Sequence, residues 1–530
     1  MTAALSPYEG MNVRSLVQTQ ALSRPDHPAI IWEPFSGEAR AWTYGELNAD
    51  LAAFAAGLAK RGVRAGQRVL IHLDNCPELV IAWLGCAYLG AVAVTTNTRS
   101  SREELAYFAG HSQVVGAITQ PAYAEIVAAA ATELKWLTIT STDAGEAPAW
   151  TPGGSESFAA LLGAADDLPP MPADPWASFA IQYTSGTTSR PKAVLWTHGN
   201  ALWGGQASAE HEGLRPDDVH LVTLPLYHTN AQSYSLLASL WVGATVVIQP
   251  RFSASRFWDV SLRRRCTWTS MIPFCNRALM AQPSPDWHHY RLWGNAISSP
   301  PTDAVFGVKT IGWWGMTETV THGLVASANL PNPTRSIGRP ARGYDVKVVD
   351  DGGRPVGAGE SGDLLIQGRR GVSLFAGYAG DPAATAAAFD AEGSFLTGDR
   401  VYRDASGAMF FADRSKDMLK VGGENVAASE IERVVGAVPG VREVAVVAAR
   451  DPMLDEVPVA FVIPTAEASA SHLIAAINAA CVHSLATFKQ PRQVRLVEAL
   501  PRSTLEKVAK ARLRELLSAE AAANSSGAPA

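Results

Sequence analysis

The segment from Tyr183 to Ala193 surrounds Gly186 with serine and threonine hydroxyls and continues into the cations of Arg190 and Lys192. Hydroxyls and exposed backbone amides can donate hydrogen bonds to phosphate oxygens, and the cations can offset the phosphate charge. Glycine lets the backbone approach a ligand closely. The segment therefore predicts a phosphate-binding loop, and a serine- and threonine-rich surface turn is the alternative.

This segment resembles the phosphate-binding loop of the acyl-adenylate-forming superfamily, which comprises acyl-CoA synthetases, luciferases and peptide-synthetase adenylation domains. Ser189 and Ala193 depart from it, because glycine is commonest there. Further segments extend the resemblance over nearly the whole chain and in the matching order: Pro225-Leu-Tyr-His228, Gly294-Asn-Ala296, Trp314-Gly-Met-Thr-Glu318, Thr397-Gly-Asp399, Asp413 to Lys420 and Pro501 to Lys507.

The resemblance implies a nucleotide site for ATP. Trp314, in place of the more frequent tyrosine, would stack on adenine. Asp399 would accept hydrogen bonds from the ribose hydroxyls, and Arg414 would also reach the ribose. The full set of implied nucleotide-binding residues is Thr184, Ser185, Gly186, Thr187, Thr188, Lys192, Asn295, Ala296, Trp314, Asp399 and Arg414.

The resemblance also implies catalytic roles. Lys507 would bridge the substrate carboxylate and the α-phosphate, although Glu506 replaces the glycine usual before this lysine. Thr317 would contact the α-phosphate, and Glu318 would hold Mg²⁺, a hard cation that prefers oxygen ligands. His228 would gate or line the acyl pocket.

The acid substrate is expected to bind near Asn230, Tyr234, Trp293, Gly312, Trp313 and His322. Aromatic rings there could hold a trimethylammonium group by cation–π attraction, or they could line a site for an aryl or branched acid. The nearest likeness, carried by Phe252 to Trp258 and Ile272-Pro-Phe, is to crotonobetaine/carnitine-CoA ligases and related small-acid ligases. The sequence leaves the substrate open.

Several elements must position these residues. Thr43 and Glu46 form a capping box before a helix from Leu47 to Leu58. Arg68 to His72 follows as a buried strand, and apolar helix–strand units are predicted at 79–94 and 235–248. This alternation predicts an α/β fold with parallel sheets.

The sequence pattern changes after Ser336, where short segments with alternating apolar and polar residues predict a β-rich subdomain. The predicted domains are a large adenylate-forming domain over 1–415, its β-rich subdomain at about 336–415, and a small α+β lid over 416–518. The resemblance implies that the small domain rotates about Lys416. The alanine-, serine- and glycine-rich residues 519–530 are expected to be disordered.

Bulk composition limits the partners. The length of 530 residues predicts more than one domain. The formal net charge of −6 means that the protein has no overall positive charge to attract nucleic acid. Scattered cysteines without a CxxC pair, and a polar start without a signal peptide, favour the cytoplasm without membrane insertion. The expected partners are a small carboxylic acid, ATP, Mg²⁺ and coenzyme A, and a homodimer is left open.

The predicted function is an ATP-dependent carboxylate–CoA ligase. The main alternatives are an adenylating enzyme that loads a carrier protein and a nucleotide-binding regulator without catalysis. A luciferase-type oxidase ranks below them. A serine hydrolase is disfavoured because no Gly-x-Ser-x-Gly elbow occurs. A Rossmann dehydrogenase is disfavoured because the one Gly-x-Gly-x-x-Gly match, at 357–362, lies among short strands.

Overall fold

A computed structural model describes the chain over residues 5–100, 102–140, 155–165, 168, 171–184, 191–414, 418–421, 424–451, 454–466, 468–485, 489–503 and 507–526. In these ranges, strands and helices alternate through the first three hundred residues, as the sequence predicts. The α/β fold class is therefore confirmed. No helix of the described ranges is both long and apolar enough to cross a membrane.

The strands form four sheets. In chain order they are β1 Pro28–Trp32, β2 Arg40–Thr43, β3 Arg68–His72, β4 Val92–Thr95, β5 Val114–Thr119, β6 Leu137–Ile139, β7 Ser155–Ser157, β8 Ser178–Thr184, β9 Lys192–Thr197, β10 Val219–Val222, β11 Thr245–Ile248, β12 Trp268–Ser270, β13 Leu292–Asn295, β14 Thr310–Gly315, β15 His322–Val325, β16 Arg339–Pro340, β17 Asp345–Val349, β18 Ser361–Gln367, β19 Gly377–Tyr378, β20 Phe395–Arg403, β21 Met409–Arg414, β22 Met418–Val421, β23 Glu424–Ala427, β24 Val441–Asp451, β25 Asp455–Pro464 and β26 Gln493–Leu496.

The helices pack between and around the sheets. They are α1 Val13–Ser23, α2 Tyr44–Lys60, α3 Pro77–Leu89, α4 Arg102–Ser112, α5 Ala124–Ala130, α6 Phe158–Leu161, α7 His198–Glu212, α8 Ala238–Val242, α9 Ala254–Arg263, α10 Pro273–Met280, α11 Thr302–Phe306, α12 Pro382–Ala387, α13 Ala428–Gly436, α14 Ala470–Ser484 and α15 Lys510–Ser526, with a 3₁₀ turn at Pro121–Tyr123 and a π-helical segment at Asn230–Leu237.

The nine-stranded sheet has the order β16-β15-β14-β13-β12-β10-β11-β1-β2. Its strands β1, β11, β10, β12, β13 and β14 are mutually parallel. The carboxyl ends of parallel strands meet at one edge, which is where open α/β sheets commonly bind ligands. Asn295 ends β13 and Gly315 ends β14, so two of the predicted segments meet at this edge.

The eight-stranded sheet has the order β19-β9-β8-β4-β3-β5-β6-β7. Its strands β8 and β9 pair antiparallel, and the predicted phosphate loop connects them in the sequence. A four-stranded antiparallel sheet, β17-β18-β20-β21, follows and brings in Asp399. The last sheet is built from β22 to β26 and packs against α13, α14 and α15.

Local sequence signals set several element boundaries. Thr43 and Glu46 form the predicted capping box at the start of α2. Gly90 and Gly243 end their helices in the left-handed conformation, with φ of 78° and 76°, which glycine adopts without a Cβ clash.

The carboxyl-terminal segment differs from its prediction. Helix α15 runs to Ser526, so residues 519–526 are helical where the sequence predicted disorder, and residues 527–530 lie outside the described ranges. Alanine has the highest helix propensity of all residues, which accounts for the continuation.

Candidate active site

The antiparallel strands β8 and β9 place a hydroxyl residue and a cationic residue opposite each other. Thr184 ends β8 and pairs in register with Lys192, which begins β9. The Nζ of Lys192 lies 4.7 Å from the centroid of the Tyr378 ring, a cation–π contact. Ser185, Gly186, Thr187 and Thr188 lie between these two residues but outside the described ranges. The described part of the loop therefore directs one ammonium group towards Tyr378.

Tyr378 connects this cation to a buried carboxylate. Its hydroxyl donates a 3.0 Å hydrogen bond to Oε1 of Glu318, whose side chain is buried. Oε2 of Glu318 has no hydrogen-bond partner among the described residues. Burial raises the pKa of Glu318, the Lys192 charge opposes that shift, and the Asp399 charge adds to it. A buried carboxylate oxygen without a partner fits a hard cation such as Mg²⁺.

The backbone beside Glu318 is strained. Val320 has φ of 64°, a left-handed conformation that a β-branched residue rarely adopts. The carbonyl of Thr319 accepts a 2.6 Å hydrogen bond from the hydroxyl of Tyr344, and the carbonyl of Glu318 accepts one of 2.9 Å from the amide of Phe375. Such strain persists where surrounding contacts over-determine the backbone, and here those contacts fix the position of Glu318.

Thr317 belongs to a chain of polar contacts. Its hydroxyl accepts a 3.1 Å hydrogen bond from Thr229, whose hydroxyl also lies 3.0 Å from Oε1 of Gln182. The indole N–H of Trp196 donates a 2.9 Å hydrogen bond to the carbonyl of Thr317. These contacts join the segment after β14 to strands β8 and β9 and to the segment after His228. Thr317 is therefore held between the strands that flank the predicted phosphate loop and the segment expected at the acid substrate.

His228 and Lys507 are far apart in the sequence and lie near each other. Burial lowers the pKa of His228 to about 4, and the positive charge of Lys507 contributes to this shift. Lys507 is itself exposed. His228 and Thr184 also line the same open cleft, together with Tyr227 and Asn97. The imidazole of His228 is thus neutral above pH 4, with the charge of Lys507 near it.

Trp314 contacts Asp399 directly. The indole N–H donates a 2.8 Å hydrogen bond to Oδ2 of Asp399, and both side chains are buried. Asn295 is buried at the end of β13, and its side-chain oxygen accepts a 2.6 Å hydrogen bond from the amide of Ala296. The residues expected at the adenine and the ribose are therefore brought to one place by two different sheets.

Three aromatic residues expected at the acyl pocket pack on one another. The ring of His322 lies 4.4 Å from that of Trp313 in a stacked arrangement and 4.0 Å from that of Tyr234. Tyr234 meets Trp313 edge to face at 5.6 Å. Tyr234 lies in the π-helical segment, a geometry frequent at functional sites, and Asn230 at its start accepts a 2.7 Å hydrogen bond from Ser270. We call Tyr234, Trp313 and His322 the aromatic cluster.

Glu212, which the sequence analysis missed, lies behind this cluster. Its Oε1 is 3.7 Å from Nε2 of His322, and both residues are fully buried. Burial raises the pKa of Glu212 well above its ordinary value, and the neighbouring Trp268 indole opposes the shift. Burial and the neighbouring His211 lower the pKa of His322. One signal was available: Glu212 ends α7, where the helix dipole disfavours an anion.

Two residues expected at the acyl pocket face away from the aromatic cluster. Trp293 is fully buried among Phe257, Trp258, Tyr290 and Phe306, so the structure places it apart from the aromatic cluster, and its assignment to the pocket stays a prediction. Alternate side chains of a strand point to opposite faces, and it is the preceding Leu292 that packs with Trp313.

Gly312 likewise faces the opposite side from Trp313. A Cβ at Gly312 would lie 2.2 Å from the carbonyl oxygen of Ser336 and 2.4 Å from the amide nitrogen of Ser298. Gly312 therefore serves close backbone packing rather than pocket lining.

Other expected residues are not described. Lys416, the expected hinge, lies outside the described ranges, and of Arg414 only the backbone, at the end of β21, is described. The described residues hold no group of three or more His, Cys, Asp or Glu side chains that could bind a metal ion. An ion at Glu318 would therefore need its remaining oxygen ligands from a substrate phosphate and water.

Comparison with known proteins identifies the family of the chain. Residues 17–379 match the family described as AMP-binding enzyme, and residues 430–507 match the AMP-binding enzyme C-terminal domain. The crotonobetaine/carnitine–CoA ligase of Salmonella paratyphi C (strain RKS4594) is 34% identical over 524 residues, covering 95% of this chain and 99% of the relative. That of Escherichia coli O7:K1 is 35% identical over 505 residues, covering 92% and 95%.

Solved structures resemble the whole chain. The anthranilate CoA ligase AuaEII in complex with anthranoyl-AMP has a TM-score of 0.84 at 26% identity, covering 96% of this chain and 98% of that one. The O-succinylbenzoate coenzyme A synthetase of Bacillus subtilis in complex with ATP and magnesium ion has a TM-score of 0.81 at 26% identity, covering 95% and 99%.

Proposed function

The chain belongs to the AMP-binding enzyme family and is an ATP-dependent acid–CoA ligase, and from that premise we propose that its acid substrate is a compact monocarboxylate. The observation that carries this proposal is the aromatic cluster. Its rings contact each other at 4.0 to 5.6 Å, and Trp313 and Tyr234 are only 7% and 5% exposed. Rings packed in this way fill space that a long acyl chain would need.

The electrostatic properties of the aromatic cluster limit the class of acid that can bind there. A second carboxylate on the acid would find no cation in the cluster, because burial lowers the pKa of His322, and a buried charge without a counter-ion is strongly disfavoured. A quaternary ammonium group would instead meet the faces of aromatic rings, which attract a cation. Relatives named crotonobetaine/carnitine–CoA ligase support betaine-type acids as the first substrates to test.

A second candidate class is aryl acids. The near-parallel stacking of His322 on Trp313, at 27°, offers a flat aromatic layer beside which a benzoate-sized ring could lie. Structural neighbours named for anthranilate and benzoate CoA ligation are compatible with this class.

The adenylation step assigns a role to each site residue. An oxygen of the substrate carboxylate forms a bond to the α-phosphorus of ATP, the bond to the bridging oxygen breaks, and pyrophosphate leaves. Lys507 stabilises charge on the carboxylate and α-phosphate, and Thr317 donates to the α-phosphate. Thr184, the loop 185–188 and Lys192 hold the leaving phosphates, while Trp314, Asn295 and Ala296 flank the adenine.

Glu318 is the residue best suited to hold Mg²⁺, because its Oε2 is buried and has no hydrogen-bond partner among the described residues. A magnesium ion bound there would supply neutralisation of phosphate charge. Tyr378 keeps the other carboxylate oxygen in place through its 3.0 Å hydrogen bond.

Thioester formation follows in the same site. The CoA sulfur, as its thiolate, attacks the acyl carbon, the acyl–phosphate oxygen bond breaks, and AMP leaves. His228 is neutral, lines the cleft and lies near the charge of Lys507, so we assign His228 the gating of thiol access. Rotation of the small domain about Lys416 would remove Lys507 and admit the thiol. Five free cysteines support the cytoplasm as the compartment.

The test is a substrate panel with purified protein, ATP, Mg²⁺ and CoA. Short betaine, neutral aliphatic, aryl and dicarboxylic acids are compared by pyrophosphate release and thioester formation. We expect thioester with short monocarboxylates, highest for betaines, and none with dicarboxylates. Tyr234→Ala should extend the accepted acids to longer chains. Activity confined to long-chain or dicarboxylic acids contradicts the proposal, and pyrophosphate without thioester contradicts transfer to CoA and would point to another acyl acceptor, such as a carrier protein.

A further inference from the structure

Trp314 and Asp399 form a buried pair that joins two sheets. Trp314 lies at the carboxyl end of β14 in the nine-stranded sheet, and Asp399 lies in β20 of the four-stranded sheet. The indole N–H donates a 2.8 Å hydrogen bond to Oδ2 of Asp399, and the two side chains are 7% and 4% exposed. Of the aromatic side chains without a titratable ring, only tryptophan has a ring N–H that can make this contact.

The position of the indole is fixed on its other side. A Cβ at Gly323 would lie 2.9 Å from Cζ3 of Trp314, so the Gly323 backbone lies directly against the ring. The amide of Asp399 donates a 3.1 Å hydrogen bond to the hydroxyl of Thr397, which in turn donates one of 2.7 Å to the carbonyl of Leu364. Both partners of the pair are thus anchored independently to their own strands.

The negative charge of Asp399 acts on Glu318, because it contributes to the raised pKa of that carboxyl group. A neutral donor such as indole holds a carboxylate in one orientation without cancelling that charge, and a hydrogen bond to an ionised acceptor is stronger than one between neutral groups. An arginine or lysine in this place would hold the carboxylate but would also place a cation beside the metal-binding glutamate.

We propose that Trp314 is a positioning residue for ribose recognition: its indole N–H fixes Asp399 Oδ2 so that the carboxylate is oriented to accept hydrogen bonds from the ribose hydroxyls. The same side chain thereby couples contact with the base to contact with the sugar. This inference rests on the proposed roles of Trp314 and Asp399 at the nucleotide. It adds to them a selectivity for ribonucleotides over deoxyribonucleotides that depends on residue 314.

The test measures equilibrium binding, so it does not depend on which acid is the substrate. AMP, 2′-deoxy-AMP and 3′-deoxy-AMP are titrated calorimetrically into the wild type, Trp314→Phe, Asp399→Asn and the double variant. We expect Trp314→Phe to lose about tenfold in AMP affinity and no more than about twofold for the deoxy-nucleotides, as for one lost hydrogen bond. In the double variant the two losses should be markedly less than additive.

The control is Trp287→Phe, which removes a tryptophan that is 63% exposed and should leave all affinities unchanged. If Trp314→Phe is not recovered as folded protein, Trp314→Tyr is measured in its place with the same expected result. The tyrosine hydroxyl extends from the end of the ring and would not occupy the position of the indole N–H. An equal loss of affinity for AMP and both deoxy-nucleotides would show only a stacking role and overturn the proposal. If no acid in the substrate panel led to pyrophosphate release, that result would contradict the proposed substrate class and not this inference.

Discussion

The Glu212 carboxylate lies 3.7 Å from the imidazole of His322, and both side chains have no exposed surface. Neither Glu212 oxygen, nor Nε2 of His322, has a hydrogen-bond partner of normal geometry in the described part of the chain. Buried polar groups without partners are costly, and here burial raises the pKa of Glu212 and lowers that of His322, so both side chains are held in their uncharged forms.

Substitution of Glu212 tests whether this buried carboxyl group is uncharged. Burial raises the pKa of Glu212 well above its ordinary value, so Glu212→Gln, which keeps the shape without an ionisable group, should change KM for betaine-type and neutral short acids by less than about twofold at neutral pH. Glu210→Gln is the matched control, because Glu210 is partly exposed and two residues away on the same helix. A rise in KM of about tenfold confined to betaine-type acids would show instead that Glu212 is ionised and selects acids by charge.

Lys507→Ala should abolish adenylation while sparing thioester formation from supplied acyl-adenylate. In the proposed mechanism the lysine charge acts on the oxygens that carry charge during adenylation, so its removal should cost at least about 100-fold in the rate of pyrophosphate release. Lys510→Ala serves as control, since Lys510 forms a 2.9 Å ion pair with Glu432. The two half-reactions are measured separately, and an equal loss in both is inconsistent with the assigned role.

Tyr344→Phe should disturb the strained segment beside Glu318. The change leaves the Thr319 carbonyl and the Trp203 indole without the hydroxyl that now pairs with them at 2.6 and 3.1 Å. We expect the free energy of unfolding to fall by about 1–3 kcal/mol and kcat to decrease, because Glu318 loses its support.

Chemical denaturation and pyrophosphate release measure the two effects of Tyr344→Phe. Tyr402→Phe is the control, because the Tyr402 ring stacks on Phe410 and its hydroxyl makes no hydrogen bond within the described residues. Stability and kcat equal to those of the wild type in Tyr344→Phe would remove the argument that Tyr344 fixes this backbone.

Gly312→Ala should impair the enzyme although it adds a single methyl group. The added Cβ would meet backbone atoms of Ser336, Ser298 and Ile297 at 2.2 to 2.7 Å, and backbone cannot move aside cheaply. We expect loss of folded protein or at least about a tenfold fall in adenylation. Gly110→Ala, in helix α4 with no atom within 4 Å of the added Cβ, should be tolerated or slightly stabilising. Comparable behaviour of the two variants goes against this explanation.

The protein should lose stability in mild acid. Burial lowers the pKa of His72, His198 and His211 to about 4 and that of His220 to about 3. The folded state then binds fewer protons than the unfolded state, whose histidines titrate near 6.5, so stabilisation present above pH 6.5 is lost as pH falls towards 4. For each histidine, a tenfold weaker proton affinity in the folded state corresponds to about 1.4 kcal/mol.

Thermal unfolding between pH 8 and 5 measures this effect. Tm should fall steeply below pH 6.5 and change little above it. A Tm that is flat between pH 6.5 and 5 would mean that these imidazoles are not held neutral.

Much of the architecture followed from local sequence. The strand Arg68–His72 has the predicted bounds, and the helix beginning after Thr43 starts at its capping box. Gly90 and Gly243 end helices where the sequence indicated. Such features depend on a few neighbouring residues, and for this reason periodicity, capping and turn chemistry were sufficient to predict them.

Contacts across the chain were decided by tertiary structure. Tyr378 reaches Glu318 from 60 residues away and Asp399 reaches Trp314 from 85, and no local pattern marks either pair. Trp293 packs apart from the aromatic cluster, which the sequence did not predict, because the face to which a strand residue points depends on the packing of the sheet. The sequence by itself determined the order of the motifs and the fold class. The tertiary structure alone decided which side chains meet, because burial and charge act through space rather than along the chain.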